Sequence, residues 1–131
     1  MGATQVDRVL VSSRLVGDDS VTAFCRFVQD ARRLSLQQRV RGALLFDGES
    51  AVHLIEGEPA ALRDFMLTLY GQARYGAAAV VAQDRGVSPA LPSGWRAGYV
   101  DPLALDAWSE SAHGAADIAA FVALLDASDC E

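Results

Sequence analysis

Few residues in this 131-residue chain could do chemistry, and they are scattered. The histidines are His53 and His113, the cysteines are Cys25 and Cys130, and every basic residue is an arginine. A Schiff-base amine and a phosphate-loop ammonium are therefore both missing. Asparagine is absent as well. One histidine in mid-chain and one in the tail make a poor metal set, and two cysteines give neither a disulfide framework nor a thiolate cage, so no metal ligand is assigned. No Ser/His/Asp order or paired-carboxylate spacing stands out. No catalytic residue is assigned, and the chain is read as a non-enzyme.

Each remaining candidate has a structural role to weigh against a functional one. His53 sits in an apolar run, Val52-His53-Leu54, and is read as a buried histidine whose nitrogens must find partners. Cys25 falls on an apolar helical stripe and is expected in the core, as a small hydrophobe. Glu56, in Ile55-Glu56-Gly57, is expected to structure a turn or cap a helix. Trp95 is expected to pack at a strand start. Arg32, Arg33, Arg39 and Arg41 cluster where a helix should end and could bind an anion there, but the negative end of the helix dipole welcomes arginines in any case.

The elements that position these residues follow from periodicity. Val6 to Ser13 is a β-branched run bounded by Gly17 and Asp18, a first strand. Val21, Phe24, Cys25, Val28 and Ala31 have helical spacing after the capping residues Asp18 to Ser20, and this helix should fade between Leu34 and Gln38. Val40 to Phe46 and Ser50 to Ile55, joined by Asp47-Gly48-Glu49, form a hairpin. Pro59 should open a second helix with the stripe Leu62, Phe65, Met66, Leu69 and Tyr70, ended by Gly71 or Gly76. Ala77 to Gln83 and Trp95 to Val100 should be strands four and five, separated by a Pro/Gly/Ser-rich loop from Gly86 to Gly94.

The order βαββαββ favours an α+β fold of ferredoxin-like type, with two helices on one face of an antiparallel or mixed sheet. On the third strand Ala51, His53 and Ile55 face one way and Val52 and Leu54 the other, so both faces are apolar. A short helix from Pro102 to Ser109, and a second carrying Ile118, Phe121, Val122 and Leu125, are expected to cover the other face. The net charge of −6 argues against nucleic acid. No apolar run approaches a membrane span, and the N-terminus lacks a signal-peptide pattern, so the expected location is cytoplasmic.

Several segments resemble a known family. Arg8-Val9-Leu10-Val11-Ser12-Ser13-Arg14, Gly42-Ala43-Leu44-Leu45-Phe46, Leu54-Ile55-Glu56-Gly57-Glu58-Pro59-Ala60-Ala61-Leu62 and Gly94-Trp95-Arg96 are similar, in order and spacing, to landmarks of BLUF domains, which sense blue light using FAD. The resemblance implies a BLUF-like domain over residues 1–101, with residues 102–131 as a helical extension packed on it. It also implies a flavin site between the two helices, read by a tyrosine, an asparagine and a glutamine, with a methionine close by. Here those positions fall on Val11, Ser35, His53 and Ala97, beside Trp95, and the family's arginine-histidine pair after the second helix is Arg74-Tyr75.

Valine has no phenol, and serine cannot present an amide's donor and acceptor together. Imidazole cannot rotate as an amide does. The expected protein is a signalling or interaction domain that has lost flavin and photochemistry, its cleft closed by Phe24, Phe27, Leu62 and Phe65, with no cofactor and with a protein partner or self-association. The alternatives are an FAD-binding photoreceptor with an unusual hydrogen-bond set and, more distantly, an acylphosphatase-like enzyme, which the missing asparagine disfavours.

Overall fold

The apolar runs become strands and the striped segments become helices, in the expected order. The computed structural model describes residues 5–14, 20–47, 50–70, 78–91, 94–101, 118–127 and 129–130. Strand β1 (Val6–Arg14) precedes helix α1 (Ser20–Gln38), and the hairpin is β2 (Arg41–Phe46) with β3 (Ser50–Gly57). Pro59 opens α2 (Pro59–Tyr70), where its missing amide proton costs no helical bond. Then come β4 (Ala78–Val87), β5 (Trp95–Tyr99), α3 (Ile118–Ala127) and a two-residue β6 (Asp129–Cys130). The hairpin turn residues Gly48 and Glu49, the expected helix stops Gly71 and Gly76, and the expected helix from Pro102 to Ser109 lie outside the described residues.

The sheet runs β4-β1-β3-β2-β5-β6. All neighbours are antiparallel except β2 and β5, which are parallel. This is the α+β, ferredoxin-like arrangement that the element order implies. Alternation along the strands divides the interior into two layers. On one face Val9, Val11, Leu44, Phe46, Ala51 and Ile55 pack against α1 and α2 through Phe27, Leu34, Leu62 and Phe65. On the other, Leu10, Ala43, Leu45, Val52 and Leu54 pack with Leu91, Val100, Phe121 and Leu125. Helix α3 thus covers the second face.

Three departures from the sequence reading have physical causes. Cys25 is exposed, a correction to its expected place in the core. The buried face of α1 is Phe27, Val28, Ala31, Leu34 and Ser35, and a step of about 100° per residue turns Cys25 away from it. Strand β4 runs past the expected end at Gln83 to Val87 and takes Gly86 into the strand at φ +60°. Its register against β1 shifts twice, and the shift between Val6 and Arg8 accommodates the glycine as irregularity rather than as a break. Strand β6 was not expected. Two residues are too few to carry an alternation.

The end of α1 also differs in chemistry from the usual glycine stop. Arg39 takes the left-handed conformation at φ 56°, and the amide of Val40 donates to the carbonyl of Ser35 at 3.2 Å, the bond of a Schellman cap. Ser35 Oγ donates back to the Val40 carbonyl at 2.5 Å. This serine therefore spends its hydroxyl proton on closing its own helix.

Candidate functional site

The pairing register places three of the candidate positions in one row across the sheet. Val80 of β4 faces Val11 of β1, Val11 faces His53 of β3, His53 faces Leu44 of β2, and Leu44 faces Ala97 of β5. Residues opposite one another on adjacent strands share a face, so the row from Val11 to Ala97 lies under α1 and α2, with Val80 exposed at its edge. His53 is its centre and is fully buried.

Four aromatic rings surround it. Phe27 of α1 lies 5.7 Å away between ring centroids, Phe65 of α2 5.9 Å, Trp95 at the head of β5 5.7 Å and Tyr70 at the end of α2 6.0 Å. The first three meet it edge to face, the arrangement that ring quadrupoles favour. Both imidazole nitrogens are bonded. The indole N–H of Trp95 donates to Nε2 at 3.0 Å, and Nδ1 lies 2.8 Å from the Tyr70 hydroxyl. An indole nitrogen is only ever a donor, so in the neutral ring the single proton sits on Nδ1 and is given to Tyr70.

Trp95 reaches this position because Gly42, opposite it on β2, has no side chain. A Cβ on Gly42 would lie 2.7 Å from Cδ1 and 2.9 Å from Nε1 of the indole. Arg32 covers the tryptophan, its guanidinium carbon 5.7 Å from the ring centroid. Two other arginines of the group have separate partners: Arg33 bonds Asp30 and Arg41 bonds the Leu91 carbonyl. They do not converge on one anion site.

Desolvation sets the protonation of the cluster. Burial pushes the His53 pKa down to about 3 from an ordinary 6.5 and raises that of Tyr70 above the usual phenol range. The unfolded chain then binds a proton near pH 6.5 that the folded one refuses. Stability from this neutral histidine is complete above about pH 6.5 and falls as the pH drops toward 3, by up to about 1.4 kcal/mol per pH unit. Denaturant titrations at pH 7, 6 and 5 should show this slope in the native chain and a shallower one in His53→Gln. Equal slopes, or a His53 ring resonance that titrates near pH 6.5 in the folded protein, would remove the argument.

On the other face of β3, Glu56 is fully buried and answers a different need. It accepts from Arg8 Nε at 2.9 Å, from the amide of Ala90 at 2.8 Å and from that of Leu91 at 3.0 Å. Arg8 also reaches Asp84 and the Ser88 carbonyl. Glu56 therefore structures the loop between β4 and β5. It does not cap α2, whose first turn closes through the Leu62 amide and the Glu58 carbonyl.

Among the sequence candidates, then, Val11, His53, Ala97 and Trp95 are on the helix-covered side of the sheet, whereas Ser35 closes α1. Phe27, Leu62 and Phe65 are buried, and the Phe24 side chain lies outside the described set. Tyr70 was seen only as part of a stripe, and its bond to His53 was missed. Among the described residues, no group of three or more metal-binding side chains comes together, and no helix is long and apolar enough to cross a membrane.

Neither a family model nor a curated protein matches the sequence. Solved structures do match in fold. BlrB, a BLUF protein in its dark state, superposes with a TM-score of 0.65 at 19% identity over 85% of this chain and 83% of its own. BlsA in its photo-activated state gives 0.67 at 10% identity, covering 94% of each chain. The BLUF domain of BlrP1 gives 0.60 at 19% identity, covering 76% of this chain and 67% of that one. The chain spans only 24% of the longer Klebsiella pneumoniae BlrP1 and 35% of a bacterial light-regulated adenylyl cyclase.

Proposed function

We propose that this chain, which has the fold of BLUF domains, is a signalling or interaction domain whose helix-flanked cleft has closed around His53 and no longer holds flavin. The observation that carries this reading is the state of His53. At the position where the resemblance puts a flavin-reading glutamine, a buried imidazole has both nitrogens bonded within the protein and aromatic rings on its flanks. A flavin edge would have to displace Tyr70 or Trp95 to reach it, so the residues present do not fit the cofactor.

Val11 and Ala97 are smaller than the tyrosine and methionine that the resemblance assigns there. Phe27, Phe65, Tyr70 and Trp95 take up the volume instead, because unfilled core space forfeits contact energy on its walls. A role through contacts rather than catalysis agrees with the use of this fold as one part of the longer BlrP1 and cyclase chains. The partner would be another protein or a second copy.

The test is flavin content. Protein expressed with excess riboflavin available and then purified should carry far less than one FAD per chain, and added FAD should cause no reversible red shift under blue light, since Val11 cannot supply a tyrosyl electron. Stoichiometric FAD released on denaturation would overturn the loss of binding. A family-like light-induced shift would overturn the loss of photochemistry.

A further inference from the structure

A groove on the far side of α2 contains neither His53 nor any of the four rings around it. It lies between α2, β1 and the edge strand β4, with a volume of about 770 Å3, within the range of small-molecule sites. Its apolar lining is Val9, Pro59, Leu62, Met66 and Val80, the last 48% exposed on a strand that α2 does not cover. Gln83 and five charged residues complete the wall, and the pairing of the charges decides what the groove can attract.

Arg8 is consumed by Glu56, Asp84 and the Ser88 carbonyl, its single charge shared between two carboxylates, of which Glu56 is the nearer. Asp7 accepts from the amide of Gly86 at 3.2 Å. Arg63 on α2 and Arg85 on β4 are exposed and have no ion pair among the described residues. The groove therefore offers an apolar floor and two free guanidinium groups in a protein whose net charge is −6. Guanidinium forks match carboxylate geometry.

We infer that this groove binds a small amphipathic carboxylate, its alkyl or aromatic body on Val9, Leu62, Met66 and Val80 and its anionic head on Arg63 and Arg85. The site is independent of the reading of the helix-flanked cleft. A ligand here would touch β1 and β4, which meet along the whole of β1, and so would bear on the edge of the sheet.

Octanoate is a suitable probe, and octan-1-ol its uncharged counterpart. Calorimetric titration of the full chain should show saturable one-to-one binding of octanoate, at least tenfold tighter than of octan-1-ol. Charge reversal of both arginines, Arg63→Glu with Arg85→Glu, should weaken octanoate at least tenfold and leave the octan-1-ol affinity alone. Val80→Trp, at an exposed position, should weaken both ligands by filling the groove. Circular dichroism melts establish that each variant is folded. Absence of saturable binding, equal affinity for the two probes, or folded variants that bind like the native chain would each overturn the assignment.

Discussion

Ending the chain after Asp101 is expected to leave a protein that aggregates and has lost its cooperative melt. The removed segment holds α3, whose Phe121 and Leu125 are buried against Leu10, Ala43, Leu45, Val52, Leu54, Leu91 and Val100. It also holds β6, which pairs with Gly98 and Tyr99. Without it one whole apolar face of the sheet is open to water, a patch of several hundred Å2 and of the kind that drives association, on the order of the largest patches that monomers tolerate. A single substitution makes the same point on an intact chain. Phe121→Ala should cost about 3–5 kcal/mol, the range for emptying a buried aromatic site. A truncated chain that stays monomeric and melts like the full one would show that the tail is dispensable to the core.

The second large effect is expected at Glu56. Glu56→Ala removes the acceptor for two loop amides and strips Arg8 of its closest partner, leaving a guanidinium group only 11% exposed with Asp84 and the Ser88 carbonyl. Breaking a buried pair from one side costs about 3–5 kcal/mol, and Arg8's remaining partners place this case toward the lower end. Glu56→Gln keeps an oxygen for the amides and should cost less. Hydrogen exchange gives the local signature: the amides of Ala90 and Leu91 should lose protection in Glu56→Ala before the strands do. Unchanged protection there, with a loss of stability below 1 kcal/mol, would mean that the loop holds itself.

Most of the architecture was legible because it rests on period and punctuation. The alternation Ala51 to Ile55 forces two apolar faces whatever the partners are, and the run Ile118, Phe121, Val122, Leu125 has no better place than the face that α1 and α2 leave open. Boundaries set by glycine were less legible, since Gly86 breaks a strand only if the neighbouring strand cannot shift register, and β1 can. Cys25 was misplaced for a related reason. The expected stripe and the buried face share Val28 and Ala31, and whether Cys25 or Phe27 joins them is a rotation that short-range spacing cannot fix without the sheet below.

The cluster itself was half legible. That His53 needs two partners follows from its apolar strand, and Trp95 and Tyr70 are aromatic residues with polar tips on elements expected nearby. Which of them it meets depends on the β2–β5 pairing and on Gly42, neither of which leaves a mark in local pattern. Ser35 shows the reverse. Its place was read by counting from Gly42, but its work in closing α1 depends on Arg39 turning left-handed, a conformation that an arginine does not advertise.

The division of the interior by a single sheet bears on how such a protein can change over time. Val11, His53 and Ala97 all lie on the pleat under α1 and α2, while the side chains at positions 10, 43, 45, 52 and 54 belong to the opposite layer beneath α3. Substitutions in the first set act on a layer that shares backbone but few side-chain contacts with the second, and effects at sites without shared partners tend to add. One half of the molecule is thereby insulated from experiments carried out in the other. A lineage can empty, refill or rewire the histidine layer step by step while the layer beneath α3 keeps the chain folded through each intermediate.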